Sequence, residues 1–327
     1  MNTENPGARP TVVVSRRWPA SVEELLTERF DARLNAADAP LSPRDWLAAV
    51  RDADAICPTV TDRISADIIA AAGPRLRLIA NFGVGFEHID LAAARARGLV
   101  VTNTPDVLTD ATADLAVALM LAVARRLVEA DSELRRGAWS GWRPTHMLGR
   151  QVSGKVLGLV GFGRIARAVA QRAHFGFGMR VQTYSPRLTD SGSAVPVGIC
   201  ASLDQLLSTS DFVSLHCPAD ADTRHLINAA RLRQMKREAF LINTARGAVV
   251  DEPALVEALR NGVIAGAGLD VYEREPEIAT GLLQLPNTVL LPHLGSATEE
   301  TRVAMAMRVL SNLDAFFRGQ DPPDRIT

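Results

Sequence analysis

Cysteine is scarce in this chain: 327 residues carry only Cys57, Cys200 and Cys217, far apart, odd in number and without a CxxC. That fits a reducing, cytoplasmic compartment better than a disulfide framework. Neither sign of charge dominates, since 36 Lys and Arg against 37 Asp and Glu leave a formal net charge of −1. Nothing electrostatic therefore calls for nucleic acid or an anionic membrane as partner. The six histidines form no pair at metal-ligand spacing, so no metal is expected. Long apolar runs are missing too. The most apolar stretch, Leu115 to Ala124, is bracketed by Asp114 and Arg125 and has about half the length of a membrane span, so it reads as a buried helix. Met1 to Pro10 is polar and lacks the apolar centre of a signal peptide. Repeats and low-complexity tracts are absent.

What is present is length and alternation. A chain of 327 residues is long for one core, which favours two domains. Short β-rich runs, Thr11–Val14, Ala55–Thr59, Leu76–Ala80 and Leu99–Thr102, alternate with helical patterns at Val22–Arg29, Ala66–Ala72 and Leu91–Arg97, the last with Asp90 as N-cap. After Asn103 the pattern predicts one long helix from Asp110 to Arg136 and then a Gly/Trp/Pro-rich stretch, Gly137 to Pro144. The alternation restarts with strand Val156–Val160, helix Arg164–Ala173 and strand Arg180–Tyr184. Further strands follow at Phe212–His216, Ala239–Asn243, Ala265–Leu269 and Val289–Leu291. A closing helix, Ala297 to Phe317, places Val303, Met307, Leu310 and Leu313 on one face. Alternation of this kind means α/β architecture with parallel, doubly wound sheets. Periodicity alone does not show whether the closing helix returns to the first unit.

One turn has the chemistry of a dinucleotide loop. Within the run from Gly158 to Ala166, Gly161, Gly163 and Ala166 stand in the form GxGxxA between a strand and a helix. Gly161 permits the tight turn, Gly163 lets backbone approach a pyrophosphate, and Ala166 lets the helix pack close. The N–H groups of Phe162, Gly163, Arg164 and Ile165 then face the phosphates. The second strand ends in Ser185 and Arg187, where an NAD site usually carries an acid for the ribose hydroxyls. Serine does not repel a 2′-phosphate and Arg187 offers it a charge-assisted bond, which favours NADP(H). The alternative is that both are ordinary loop residues and NAD(H) is accepted as well.

Three more segments each follow a predicted strand: Asn243 to Gly247, Leu269 to Pro276, and Pro292 to Ser296. Taken singly, His293 after a proline more often packs or caps, Glu275 is a solvated carboxylate, and Arg246 is a turn residue. Delivered together to one sheet edge, they would make a reductase site.

With these motifs in order, and with Asn81-Phe82-Gly83-Val84-Gly85 ahead of them, the chain resembles the D-isomer-specific 2-hydroxyacid dehydrogenases over essentially its whole length. The resemblance implies a Rossmann cofactor domain, residues 104–294 with a dimerisation helix and loop, inserted into a flavodoxin-like substrate-binding domain, residues 1–103 and 295–327. It implies that Arg246 binds the substrate carboxylate and polarises the ketone, that His293 is the general acid, and that Glu275 pairs with it. The backbone at Val84 and Gly85 takes the other end of the carboxylate. Asp270, Thr112, Thr244, Ala245, Cys217 and His293 are implied cofactor contacts. Residue types agree with these roles: a reduced ketone needs a proton donor in reach, and arginine offers a permanently charged fork.

Within the family, Trp139 to Gly149 resembles bacterial NADPH-dependent glyoxylate/hydroxypyruvate reductases, whose aromatic residues here approach the partner subunit's site. The alternative is that Trp139 and Trp142 only pack a dimer interface. Glu275 separates the chain from formate dehydrogenases, which carry glutamine there. The expectation is a homodimer reducing glyoxylate or hydroxypyruvate to the D-2-hydroxy acid with NADPH. Broader 2-keto acid or 2-ketogluconate reduction is the alternative, and a cofactor-sensing corepressor-like binding protein a remote one.

Overall fold

The computed structural model describes residues 9–327. Most of the polar N-terminal stretch, Met1 to Pro10, lies outside them. The chain divides into two compact units: one runs to Leu108 and resumes at Ala297, the other is Thr109–Ser296.

The first unit is a five-stranded parallel sheet built from β1 (Thr11–Val14), β2 (Asp31–Leu34), β3 (Ala55–Cys57), β4 (Leu78–Ala80) and β5 (Val100–Thr102), in the order β2-β1-β3-β4-β5. That order is the flavodoxin-like one. Helices α1 (Ala20–Arg29), α2 (Pro43–Asp52), α3 (Ala66–Ala70) and α4 (Leu91–Ala96) connect the strands. Asp90 caps α4 by accepting the Ala93 N–H at 2.9 Å, as expected. Alternation sorts the strand side chains onto two faces. Val12, Val14, Cys57, Leu78 and Ala80 meet Met305, Val309, Leu310 and Leu313 of the closing helix, Glu299–Phe317. Val13, Ile56, Ile79 and Val101 meet Trp46, Val50, Ile68 and Ile69 of α2 and α3. The closing helix thus belongs to this unit. Met307, expected on its buried face, is 40% exposed, because Met305, Ala306 and Val309 take the core positions instead.

Two elements here escape the hydrophobic pattern. β2 is an edge strand reading DARL, half exposed and paired only with β1. α2 announces itself by its cap rather than its face: Ser42 and Asp45 form a reciprocal capping box ahead of Pro43 at the first turn.

The second unit holds a seven-stranded parallel sheet. Its strands are β6 (Val156–Val160), β7 (Arg180–Tyr184), β8 (Val197–Ile199), β9 (Phe212–Leu215), β10 (Phe240–Asn243), β11 (Gly266–Leu269) and β12 (Thr288–Leu290), in the order β12-β11-β10-β9-β6-β7-β8. This is the doubly wound Rossmann order with one added strand. β8, short and partly exposed at the edge, is not among the predicted strands. The single helix expected over Asp110–Arg136 is two, α5 (Thr109–Ala124) and α6 (Leu127–Arg135). Arg126 between them takes a left-handed φ of 55°. The Ala124 carbonyl, which a continuous helix would have bonded internally, accepts the Arg150 N–H at 2.8 Å instead. α5 is apolar nearly all round because it is buried against β10–β12 on one side and helix α7 (Arg164–Gln171) on the other.

Candidate active site

Adjacent strands β10, β11 and β12 all end at the carboxyl edge of the second unit's sheet, where open α/β sheets bind ligands. Just beyond them lie Arg246, Asp270, Glu275 and His293. His293 has a φ of 56°, and its N–H donates to the Asp270 carbonyl at 2.9 Å. Its Nδ1 lies 2.8 Å from Glu275 Oε2, while Glu275 Oε1 accepts the Tyr272 N–H at 3.0 Å. A carboxylate at Nδ1 orients the ring and leaves Nε2 to exchange a proton. Among the described residues none is bonded to that Nε2. Burial works to raise the Glu275 carboxyl. The hydrogen bond and charge of His293, the Tyr272 N–H and the charge of Arg246 outweigh it and hold the group below the usual carboxylate range.

The loop that carries His293 is fixed by two of the expected cofactor contacts. Asp270, buried, accepts the Leu294 N–H at 2.6 Å on one oxygen and the Gly295 N–H at 2.8 Å on the other. Burial pushes its carboxyl up, and these bonds and the charge of His293 only partly offset that. Thr112, buried on α5, donates to the Gly295 carbonyl at 3.0 Å.

Arg246 stands on a turn shaped by Asn243, whose side chain accepts the Ala245 N–H at 3.0 Å and donates to the Arg246 carbonyl at 2.9 Å. The guanidinium donates to the Ala245 carbonyl at 2.7 Å. At Gly247 a Cβ would lie 1.8 Å from the Tyr272 carbonyl carbon, so only glycine lets this turn rest on the Tyr272–Glu273 peptide. The Arg246 turn and the Glu275 loop are therefore pressed backbone to backbone.

The glycine turn sits at the switch point of the same sheet, where β6 lies between β9 and β7. Gly161 has a φ of 88°, and a Cβ there would lie 2.9 Å from the His216 carbonyl carbon and 3.0 Å from the Cys217 nitrogen. Gly163 caps α7 and faces open space: a Cβ would meet nothing within 4 Å. The start of α7, with Gly163 as its N-cap, points its first N–H groups at the glycine turn and suits an anion. Thr244 Oγ1 is buried with no hydrogen-bond partner among the described residues. An open cradle and an orphaned hydroxyl at one sheet edge fit a bound dinucleotide. Phe162 can contribute only its backbone, since its ring is buried with the Arg167 guanidinium 4.8 Å from its centroid. Arg167 also donates to the Ser191 carbonyl, tying the glycine turn to the loop after β7. On that loop Ser185 is half-buried and Arg187 exposed. Burial lowers the His216 imidazole to about 4 and raises the Cys217 thiol to about 11, so both are neutral at pH 7.

Val84 and Gly85 belong to the other unit, in the loop beyond β4. Asn81 donates to the Gly83 and Gly85 carbonyls at 3.0 and 2.9 Å, and Asn103 to that of Val84 at 2.9 Å. The loop's carbonyls are thus engaged, which leaves N–H groups for an anion. Trp139 and Trp142, by contrast, are 52% and 81% exposed.

Several contributors are not legible in the sequence. Asn243 and Gly247 lie inside a segment singled out for its arginine. Glu273 and His225 lie 48 residues apart and form an ion pair that no local pattern announces.

Comparison with known proteins bears on this edge directly. The profile of the D-isomer specific 2-hydroxyacid dehydrogenase NAD-binding domain matches residues 117–295. The chain is 48% identical over 319 residues to a glyoxylate reductase of Thermococcus kodakarensis, covering 96% of this chain and 95% of that protein. A solved structure from Thermus thermophilus superposes with a TM-score of 0.90 at 46% identity, covering 97% of this chain and 100% of that one. An NADPH-dependent glyoxylate/hydroxypyruvate reductase of Sinorhizobium meliloti, solved with NADP and malonate, gives 0.86 at 38% identity, covering 98% of this chain and 97% of that one.

Proposed function

This chain belongs to the D-isomer specific 2-hydroxyacid dehydrogenases, and from that premise we propose that it reduces glyoxylate and hydroxypyruvate to the D-2-hydroxy acid, preferring NADPH. The observation that carries the chemistry is the His293–Glu275 pair at 2.8 Å, with Arg246 close enough for its charge to act on Glu275.

Bound at the glycine turn, NADPH supplies the hydride. Residues of this chain do the rest. Arg246 binds the substrate carboxylate and polarises the keto oxygen through its planar guanidinium fork. As negative charge builds on that oxygen, His293 holds a proton at Nε2 and releases it there. Glu275 keeps the ring oriented and stabilises the imidazolium before transfer. The loop of Val84 and Gly85 offers N–H groups to a carboxylate.

For the cofactor, the backbone of Gly161 to Ile165 would face the pyrophosphate and Ser185 and Arg187 the 2′-phosphate. Thr244, Ala245 and Cys217 would line the same edge. Asp270 and Thr112 would act there mainly by holding the His293 loop. The exposed tryptophans of residues 137–149 suit a homodimer, and three unpaired thiols suit the cytoplasm.

Steady-state reduction of glyoxylate, hydroxypyruvate and pyruvate, each with NADPH and NADH, tests the reading. Fast turnover of either of the first two, with at least about tenfold preference for NADPH in kcat/KM, is the expected result. Preference for NADH overturns the role of Ser185 and Arg187. Preference for a larger keto acid overturns the substrate assignment.

A further inference from the structure

Two residues before Glu275, on the same loop, a second carboxylate is held as firmly as the first. Glu273 accepts from Arg224 Nη2 at 2.8 Å and pairs with His225 Nε2 at 2.8 Å, with its side chain only 13% exposed. Its backbone N–H donates to Glu252 Oε1 at 2.5 Å, and Glu252 is itself buried. The peptide joining Tyr272 to Glu273 is the one on which Gly247 rests. The residues that grip Glu273 are also tied to the Arg246 turn: His225 N–H donates to the Ala248 carbonyl at 2.8 Å and Ile227 N–H to that of Val249 at 3.0 Å.

We propose that Glu273 is a positioning residue for the reaction: clamped by Arg224 and His225, it locks the Tyr272–Glu275 loop against the Arg246 turn and so sets the distance between the substrate-binding guanidinium and the histidine–carboxylate pair. The inference rests on the catalytic roles proposed above for Arg246, Glu275 and His293.

Three loops meet around Glu273, its own, that of Arg224 and His225, and the Arg246 turn that rests on its peptide, and two of them carry groups that must be aligned. The Tyr272 N–H, one peptide earlier, places Glu275 Oε1, so a shift of the Tyr272–Glu273 peptide passes through the Tyr272 Cα to the carboxylate that orients His293. Gly247 transmits the same shift to Arg246, one residue away. A fully exposed ion pair would contribute little. Here the acceptor is mostly buried, and burial, which works to raise its carboxyl, is outweighed by the hydrogen bonds and charges of His225 and Arg224. Misplacement of reacting groups by about 1 Å costs on the order of a hundredfold in rate, so a modest relaxation of this clamp is readable in turnover. Glu273 itself neither reaches substrate nor donates a proton.

The test compares E273A, E273Q and H225N with wild type, reading kcat, KM for the keto acid, the primary deuterium isotope effect on kcat from 4-deuterated NADPH, cofactor Kd by fluorescence, and Tm. For E273A the expected result is a kcat lower by about tenfold or more, a larger isotope effect, and a cofactor Kd within about twofold. E273Q, which still accepts both hydrogen bonds, recovers much of the loss, and H225N loses less than E273A because Arg224 remains. Rate and isotope effect unchanged in E273A overturn the proposal. So does a loss that E273Q fails to restore while cofactor binding falls in parallel. H293Q run alongside separates this inference from the reading beneath it: if H293Q retains turnover the catalytic assignment fails, whereas collapse of H293Q with an unaffected E273A removes Glu273 alone.

Discussion

Two histidine–glutamate pairs share one loop, and on distance alone they are indistinguishable. His293–Glu275 and His225–Glu273 both stand at 2.8 Å, and both histidines have positive φ, 56° and 49°, a conformation uncommon outside glycine. What separates them is which nitrogen is spent and what surrounds the acid. His293 gives Nδ1 to its glutamate, so among the described residues its outer nitrogen has no partner. His225 gives Nε2, and its glutamate is also bound by Arg224. The first pair stands beyond β12 at the edge where Arg246 and the glycine turn also lie. The second pair anchors the loop from behind. An acid beside a histidine is therefore no signature of catalysis until the free nitrogen is located.

The sharpest way to break this comparison is to neutralise each histidine in turn. H293Q should lower kcat by about 10²–10⁴-fold, the usual worth of a positioned acid–base group, with cofactor Kd little changed. H225Q should cost about tenfold or less, and equal losses in kcat would mean the two pairs have been assigned unequal roles wrongly. Next in size comes G247A, which strikes the contact that joins the pairs. A Cβ 1.8 Å from the Tyr272 carbonyl carbon cannot be accommodated without moving backbone. Overpacking of this kind costs about 1–3 kcal/mol, so a lower Tm accompanied by loss of activity is expected. A G247A enzyme with wild-type kcat and Tm would show that the two loops are not mechanically coupled.

D270N acts on only one of the two pairs. Its carboxylate takes two backbone N–H groups, from Leu294 and Gly295, and an asparagine oxygen can replace only one of those acceptors. Turnover should fall by about tenfold while the His225–Glu273 side is left intact. A D270N effect that appears in cofactor Kd alone would return Asp270 to a simple contact role.

How far the architecture can be read from the residues alone depends on how local each constraint is. The GxGxxA turn is legible because a positive φ at Gly161 and an open approach at Gly163 both demand glycine within a few positions of each other. That Arg246, Glu275 and His293 reach one sheet edge is legible because each follows an apolar strand, whereas the roles proposed for them come from the family resemblance. β2 and β8 are less legible, since each is a short edge strand: DARL alternates but offers only Ala32 and Leu34 to the interior, and β8 only Val197. The break at Arg126 is hidden because it depends on the Arg150 N–H, 26 positions beyond the carbonyl it takes, and helical periodicity runs on through it. Met307 misleads for a related reason: on a helix packed across a wide sheet face, the buried stripe is set by the partner surface, and it settled on Met305 and Val309. Glu273 and His225 illustrate the general limit. Their charges look like solvated loop residues until the fold supplies the partner.

The smallest expected effect separates the two acids by their stability in acid. Both carboxyls are held below the usual range in the folded chain, burial being outweighed by His293, Tyr272 and Arg246 for Glu275, and by His225 and Arg224 for Glu273. An acid depressed on folding contributes stability above its unfolded pKa, near 4.3 for glutamate, and loses it as pH falls through the lower folded value. E275Q and E273Q remove that contribution. Each should therefore be less stable than wild type near pH 6, by about 2 °C in Tm, and should lose less on going from pH 5 to pH 3. Glu273 is the more buried of the two, with side-chain exposure of 13% against 27%, and bonds two basic side chains, Arg224 and His225, rather than one. Its substitution should flatten the acid limb more. Thermal scans across that range decide the point: a steeper limb for E273Q than for wild type would reverse the sign assigned to its shift, and an identical one would reduce the pair to a surface contact.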